Sequence, residues 1–307
     1  MSMQVIFLGT SGSVPTPKRS LPAILVKREN EQFMFDCGEN AQRQMIIART
    51  GFHKKMKVFI SHMHGDHILG LPGLLQTMAL LNRTRELDIY GPPGIKRFLT
   101  DIKETVQFVL TFPVNFHEIA EPGLICDEEQ YTVEAVKSNH VIDSLAYALA
   151  EKPRPGRFYP KKAKALGIKE GPLWSDLQKG KKVRLLNGSI VKPDDVMGPS
   201  RKGRKIVYTG DTRPFKDLAE FAADADMLIN DCTLGDDLAE RADEDGHSTP
   251  SQAAENAKKA KVKKLVLTHI SARYDDTTPL LKQAKKAFRN TVVAEDFLRI
   301  ELPVPRG

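Results

Sequence analysis

Short apolar runs alternate with amphipathic stretches along almost the whole chain of 307 residues. Met3 to Leu8 reads as a strand that stops at the turn Gly9-Thr10-Ser11-Gly12-Ser13. Ala23 to Val26 and Phe33 to Phe35 read as a hairpin around Arg28-Glu29-Asn30-Glu31, and Asp36-Cys37-Gly38-Glu39-Asn40 breaks its second strand. Ala41 to Arg49 has helical composition and stops at Gly51. Val58 to Ile60 is a short buried strand, and Ile68 to Leu81 is a helix. Leu87 to Tyr90 is a strand ended by Gly91-Pro92-Pro93-Gly94, with a helix following to about Thr105. Val114 to Ile119, Tyr131 to Lys137 and Leu145 to Ala150 are further strands. The pattern resumes with strands at Lys205 to Tyr208, Met227 to Ile229, Leu265 to Leu267, Val292 to Val293 and Leu298 to Ile300. Helices fit Phe215 to Phe221, Pro250 to Ala260 and Thr278 to Ala287. Strands and helices in both halves predict an α/β protein, a four-layer α/β/β/α sandwich. The length suits a single domain over residues 1–307.

One stretch breaks this rhythm. Lys152 to Lys182 carries Pro153, Pro155, Gly156, Pro160, Gly167, Gly171, Pro172 and Gly180 among many lysines. So many breakers suit a packed core poorly, so the expectation is a flexible, extended arm inserted at 152–182, with a short helix over Pro160 to Leu166. The arm also holds the charge. The chain has net charge +7, and Glu151 to Arg184 contains eleven basic and three acidic residues, a net of +8. The remainder is therefore near −1, and an excess confined to one segment points to a polyanionic partner.

Composition excludes other classes. The apolar content of 41% and charged content of 28% are ordinary for a soluble globular protein. No apolar run approaches the roughly 20 residues of a membrane span. The N-terminus, Met1 onward, lacks a basic start and enters a strand at once, which is not a secretory signal. Cys37, Cys126 and Cys232 are far apart and form no Cys-x-x-Cys pair. That excludes a thiolate-built structural zinc site and leaves buried free thiols in a reducing cytoplasm as the expected state.

The candidate chemistry lies at strand ends. The run His62-Met63-His64-Gly65-Asp66-His67 puts three imidazoles and a carboxylate on one turn between the strand at Val58 to Ile60 and the helix that follows. Packing gives no reason for that crowding, whereas neutral imidazoles and carboxylates are preferred ligands in hydrolytic zinc sites. His140, Asp211 and His269 each follow an apolar run in the same way. Singly, each has a plain reading as a loop residue, a cap or a satisfied core histidine. His247 precedes Ser248-Thr249-Pro250-Ser251-Gln252, where Thr249 and Gln252 form a capping box with Pro250 at the first helical position. The capping box does not explain the histidine. Asp243, Glu244 and Asp245 are close enough in sequence to tune it. Gly9 to Ser13 could cradle a phosphate with backbone N–H groups, or could be only a tight turn.

Taken in order, these residues resemble the metallo-β-lactamase superfamily, whose His-x-His-x-Asp-His run and later His, Asp and His bind two metals. Phe7-Leu8-Gly9-Thr10-Ser11-Gly12, Phe35-Asp36-Cys37-Gly38-Glu39, Tyr208-Thr209-Gly210-Asp211-Thr212 and Gly246-His247-Ser248-Thr249 narrow the resemblance to the ribonuclease Z family of tRNA 3′-processing endoribonucleases. The resemblance covers nearly the whole chain. It implies two zinc ions per subunit, one held by His62, His64 and His140, the other by Asp66, His67 and His269, with Asp211 bridging. It implies that Asp66 accepts the proton of the attacking water, although a role as ligand alone is chemically reasonable. It implies that His247 donates a proton to the leaving 3′-oxygen. Pro155-Gly156-Arg157-Phe158, Lys164-Ala165-Leu166-Gly167-Ile168 and Gly171-Pro172-Leu173-Trp174 resemble the family's protruding basic arm, or exosite. Arg154, Arg157, Lys161, Lys162 and Lys164 are then the RNA-binding candidates, neutralising backbone phosphates. Phe158, Tyr159 and Trp174 could stack on bases or fold the arm onto itself. A cytoplasmic homodimer acting on precursor tRNA, with no membrane, completes the implication.

Two rival readings remain at this level. One is a hydrolase of the same fold acting on small phosphodiesters or other esters, which would not need a polycationic arm. The other is a nucleic-acid-binding protein with structural metals, which a donor set without thiolates disfavours.

Overall fold

The computed structural model describes residues 3–304. Met1 and Ser2, where the N-terminal reading begins, lie outside the described residues, as do positions 305–307. The chain divides into two compact units. The first holds the chain up to Glu128, then Thr132–Leu149 and Lys205–Pro303; the second is mainly Ala150–Arg204.

The first unit is built on two seven-stranded sheets. One runs, edge to edge, Arg299–Glu301, Met3–Gly9, Ala23–Arg28, Glu31–Phe35, Lys55–Phe59, Leu87–Gly91 and Val114–Glu118. The other runs Thr291–Val293, Leu265–Thr268, Met227–Asp231, Lys205–Tyr208, Leu145–Glu151, Tyr131–Lys137 and Gly123–Asp127. In each sheet the strands that deliver most of the polar cluster are parallel: Glu31–Phe35 to Val114–Glu118 in the first, and Lys205–Tyr208 to Thr291–Val293 in the second. Parallel strands place their carboxyl ends along one rim, which is where α/β sheets carry ligand sites.

Strand periodicity sorts the core. Ile6, Leu8, Met34 and Val58 face helices Ala41–Ile47 and Gly70–Leu80 through one apolar cluster. Phe35 and Phe59 point the other way and meet Tyr147 and Tyr208 of the second sheet, with ring centroids 5.5–6.2 Å apart. Behind the second sheet, Val207, Leu228 and Leu267 pack on helices Pro250–Lys259 and Thr278–Ala287 through Ala253, Ala257, Leu280 and Ala284. The layers are therefore helix, sheet, sheet, helix. Each fully buried Leu or Ile contributes about 1.5–3 kcal/mol to this arrangement.

Several elements differ from the pattern-based expectation. The helix read over Ile68 to Leu81 is two pieces, Gly65–Ile68 and Gly70–Leu80. At the junction, the backbone pairs with the loop that follows strand Glu31–Phe35 instead of continuing: Cys37 N–H donates to His67 O (2.8 Å) and Gly70 N–H to Cys37 O (3.0 Å). Strand Gly123–Asp127 and helix Ala239–Asp245 were not expected, because neither shows an apolar period. Helix Phe215 to Phe221 shrinks to Leu218–Phe221.

The second unit corrects the expectation that this segment lacks a packed core. Helices Pro160–Ala165 and Pro172–Gln178, the hairpin Val183–Arg184 with Ile190–Val191, and the turn Pro193–Val196 enclose Ala163, Ile168, Leu177, Val183, Val191 and Val196. Its breakers act as helix starts and stops: Pro160 and Pro172 open helices, and Gly167 and Gly180 sit just beyond their ends at φ +78° and +82°. Phe158 and Trp174 lie 5.1 Å apart against this cluster, and Trp174 Nε1–H donates to Ile168 O. These aromatics fold the segment onto itself. Arg204 and Glu151 form a buried ion pair at 2.7 Å within the same unit.

Candidate metal centre

Every side chain of the polar cluster lies just after the carboxyl end of a strand, Asp66 and His67 on the short helix Gly65–Ile68 that follows one. His62, His64, Asp66 and His67 follow Lys55–Phe59; His140 follows Tyr131–Lys137; Asp211 follows Lys205–Tyr208; His269 follows Leu265–Thr268. The fold gathers all seven in the first unit, in two sets.

In the first set, His62, His64 and His140 bring one ring nitrogen each to a common point. His62 Nε2 and His140 Nε2 lie 3.0 and 3.3 Å from His64 Nδ1. Burial pushes all three imidazoles below their ordinary value, so they are neutral at physiological pH. His140 Nδ1–H donates to Gly246 O at 2.8 Å, which leaves its Nε2 lone pair for the cluster. Gly246 ends the helix Ala239–Asp245 at φ +85°, and a Cβ there would fall 2.6 Å from His140 Nδ1.

In the second set, Asp66, His67, Asp211 and His269 converge. Asp211 Oδ2 lies 3.3 Å from His67 Nε2, 3.2 Å from His269 Nε2 and 3.8 Å from His62 Nε2, so one carboxylate faces both sets. Asp66 Oδ2 is 3.4 Å from both His67 Nε2 and His269 Nε2. Burial opposes ionisation of both carboxylates, yet His269 and His67 outweigh it and hold them well below the usual carboxylate range. His67 responds in kind: burial would lower it, but Asp211 and Asp36 lift it well above the ordinary imidazole value. Asp36 Oδ2 receives His67 Nδ1–H at 2.7 Å and the Tyr208 hydroxyl at 2.6 Å.

The donor set passes a test of fit for metal. Three imidazoles bring one ring nitrogen each to a common point, an arrangement suited to a cation among them. Asp211 Oδ1 is buried without a hydrogen-bond partner, an expensive state for a carboxylate oxygen unless it has a ligand to bind. Nitrogen and carboxylate donors without thiolates match catalytic zinc chemistry.

His247 stands beside both sets, 8% exposed, its ring 5.3 Å from His140 and 5.1 Å from His269. Its partner is none of the acids near it in sequence. Asp245 pairs with Arg241, and Asp243 is 70% exposed beside Arg213. Instead, His247 Nδ1 is 2.9 Å from Asp231 Oδ2. Burial would lower this imidazole, but Asp231 outweighs it and lifts it to about 9. Asp231, the last residue of strand Met227–Asp231, was missed in the sequence. The available signal was Asn230-Asp231 closing an otherwise apolar strand. Asp36 was visible only as part of a motif, with no role attached.

The turn Gly9 to Ser13 takes a third course between phosphate cradle and simple turn. Ser13 N–H donates to Asp66 Oδ2 at 2.9 Å, and Gly12 lies so close to His269 that a Cβ would meet Nδ1 at 2.6 Å. Its amide serves the carboxylate of the cluster. The capping box of Thr249 and Gln252 is present. Of the basic candidates, Arg157, Lys161, Lys162 and Lys164 are exposed on the second unit and Arg154 is half-buried there. Lys162 lies over the Tyr159 ring at 5.1 Å and Lys164 over Trp174 at 6.0 Å.

Comparison with known proteins gives this geometry its setting. Across 98% of its length the chain is 48% identical to a ribonuclease Z of Methanosarcina acetivorans, covering 98% of that protein. The chain belongs to the ribonuclease Z family. The same holds at 44% identity for a ribonuclease Z of Nitrosopumilus maritimus, with 98% of this chain and 100% of that one covered. The crystal structure of human tRNase Z, short form, is similar at TM-score 0.73 and 30% identity over 99% of this chain and 100% of that chain. The metallo-β-lactamase fold protein YhfI of Bacillus subtilis, at TM-score 0.69 and 20% identity over 98% of this chain and 100% of that one, shares the fold. A family profile described as Anti-Pycsar protein Apyc1 matches residues 3–152, and one described as a beta-lactamase superfamily domain matches 186–270. Neither covers 153–185, the basic stretch that interrupts the strand-and-helix rhythm. The chain is thus a metal-dependent ribonuclease Z with a metallo-β-lactamase fold, and its His and Asp clusters are able to bind metal.

Proposed function

We propose that this chain is a zinc-dependent endoribonuclease that removes the 3′ trailer from precursor tRNA by phosphodiester hydrolysis, leaving a tRNA 3′-OH and a trailer 5′-phosphate. The observation that carries the reading is Asp211, a single buried carboxylate facing two converging donor sets, in a chain 48% identical to a ribonuclease Z. His62, His64 and His140 would hold one zinc ion, Asp66, His67 and His269 a second, with Asp211 shared. Bound there, the pair would supply Lewis-acid activation of water near neutral pH and neutralise phosphate charge.

The chain's own groups do the rest. Asp66 is kept ionised by His67 and His269 and its position is fixed by Ser13 N–H, so it can accept the proton of the attacking water. His247 is kept protonated by Asp231 and reaches the edge of both sets, so it can protonate the departing 3′-oxygen. Arg154, Arg157, Lys161, Lys162 and Lys164 would engage tRNA phosphates from the second unit. A cytoplasmic homodimer fits this role, and no described helix is long and apolar enough to cross a membrane.

Incubation of zinc-loaded protein with a 3′-extended tRNA should give one cut after the acceptor stem. End mapping should find a 3′-hydroxyl and a 5′-phosphate. A 2′,3′-cyclic phosphate product, or no cleavage at all, would overturn the reading. Hydrolysis of small phosphodiesters or other esters is the second reading. It is favoured by the presence of all seven donors in the first unit alone. A chain that turned over such esters and left precursor tRNA intact would favour it.

A further inference from the structure

Two hydroxyls that no part of the proposed chemistry uses stand behind two of the histidines. Ser61 Oγ lies 2.8 Å from Asp36 Oδ2 and 2.9 Å from His62 Nδ1. Thr233 Oγ1 lies 2.7 Å from Asp231 Oδ1 and 2.7 Å from His269 Nδ1. All of these groups are buried. The two clusters have the same wiring although their members come from different sheets and are distant in sequence. In each, one buried carboxylate holds one imidazole directly (His67 on Asp36, His247 on Asp231) and a second through a hydroxyl.

The proton count decides the direction of each bond. Asp36 already receives His67, the Tyr208 hydroxyl and Ser61 N–H, and Asp231 receives His247 and the N–H groups of Thr212 and Ser248. Surrounded by donors, each carboxylate accepts. A hydroxyl has one proton to give. If Ser61 gives it to Asp36, the Ser61 oxygen must accept from His62, whose Nδ1 is then the protonated nitrogen. The same holds for Thr233, Asp231 and His269. In both rings Nε2 is left as a lone pair, and Nε2 is the atom that faces the other ligands: His64 Nδ1 at 3.0 Å from His62, and Asp211 Oδ2 at 3.2 Å from His269.

We propose that Ser61 and Thr233 are positioning residues for the metal centre, each fixing its neighbouring imidazole as the Nδ1–H tautomer with Nε2 turned to the metal. The inference rests on the metal-binding reading above. It also ties His269 and His247 to one carboxylate, so the orientation of a metal ligand and that of the proton donor share an anchor in Asp231.

The test is nuclear magnetic resonance of the full chain labelled with ¹⁵N-histidine, zinc-loaded, at pH 8. His62 and His269 should each show a slowly exchanging Nδ1–H proton; a proton on Nε2 of either ring would overturn the proposal. A chain that bound no zinc would overturn the metal-binding reading instead, and the same spectrum of the full chain as purified would still decide whether Ser61 fixes His62 as the Nδ1–H tautomer. Variants give a second readout. Ser61→Ala and Thr233→Val should weaken zinc affinity, measured by competition with a chromogenic chelator, by about 10–100-fold, the usual cost of losing an outer partner of a ligand histidine. Thr233→Ser, which keeps the hydroxyl and loses the methyl, should restore most of it. Wild-type affinity in both hydroxyl-free variants, or equal weakening in Thr233→Ser, would show that these side chains serve packing alone.

Discussion

His247 and Asp231, sixteen positions apart and 2.9 Å from each other, make a pH dependence that follows from one hydrogen bond. Asp231 lifts His247 to about 9, so the proton it would donate is present at neutral pH and is lost as pH rises through that value. Single-turnover cleavage should therefore fall on the alkaline side near pH 9. In Asp231→Asn the fall should move toward the ordinary imidazole value of 6.5, where burial takes over. An unchanged alkaline limb in that variant would remove His247 as the donor. The sign for stability is the same: the pair contributes fully below the unfolded-state pKa, and its contribution disappears as pH rises through about 9. Gly246 gives a steric prediction. Its φ of +85° and the 2.6 Å approach to His140 Nδ1 leave no room for a methyl. Gly246→Ala should push His140 off the first set. Zinc affinity should drop by about 10–100-fold, read as sub-stoichiometric metal after dialysis.

At the scale of elements, the pattern of apolar positions found most strands, because alternation and short apolar runs are set by neighbours in the chain. It failed where neighbours do not decide. The break between Gly65–Ile68 and Gly70–Leu80 is imposed by Cys37, some thirty residues earlier. The inserted segment was read as an extended arm because its prolines and glycines look like disorder, whereas they cap short helices around six buried apolar side chains. That core has a consequence. Leu177→Ala should cost the second unit about 2–5 kcal/mol. Limited proteolysis should then cut within 150–204 while the first unit resists and hydrolysis of a small chromogenic phosphodiester persists. The core also changes how the segment should be removed. Deleting 152–182 alone would strand Val183, Val191 and Val196 without partners. Replacing 152–203 with a short Gly/Ser linker should abolish cleavage of precursor tRNA and spare the small ester. Loss of both activities would mean that the insertion supports the metal centre rather than the substrate.

Taken whole, the molecule separates its charges from its ligands: all seven candidate ligands lie in one unit, and most of the positive excess lies in the other. Cleavage of precursor tRNA should weaken steeply between 50 and 200 mM salt, about as counterion release requires, while small-ester hydrolysis stays level. Dialysis against a chelator should abolish both activities and lower the melting temperature, since a ligand held only by the folded state stabilises it. The run His62 to His67 stood out locally in the sequence, whereas His140, Asp211 and His269 had plain readings one by one and became candidate ligands only through the order they share with a known family. The partners that orient them were not legible there. Asp36 reaches Tyr208 across 172 positions, and His67 reaches His269 across 202. Such pairings depend on which strand ends the two sheets bring to one rim, and no local spacing encodes them. The sequence by itself offered the groups that could do the chemistry; the tertiary structure decided which nitrogen of each ring faces inward, which acid holds His247, and that the basic insertion has a core of its own, because each of these is settled by contacts between segments far apart along the chain.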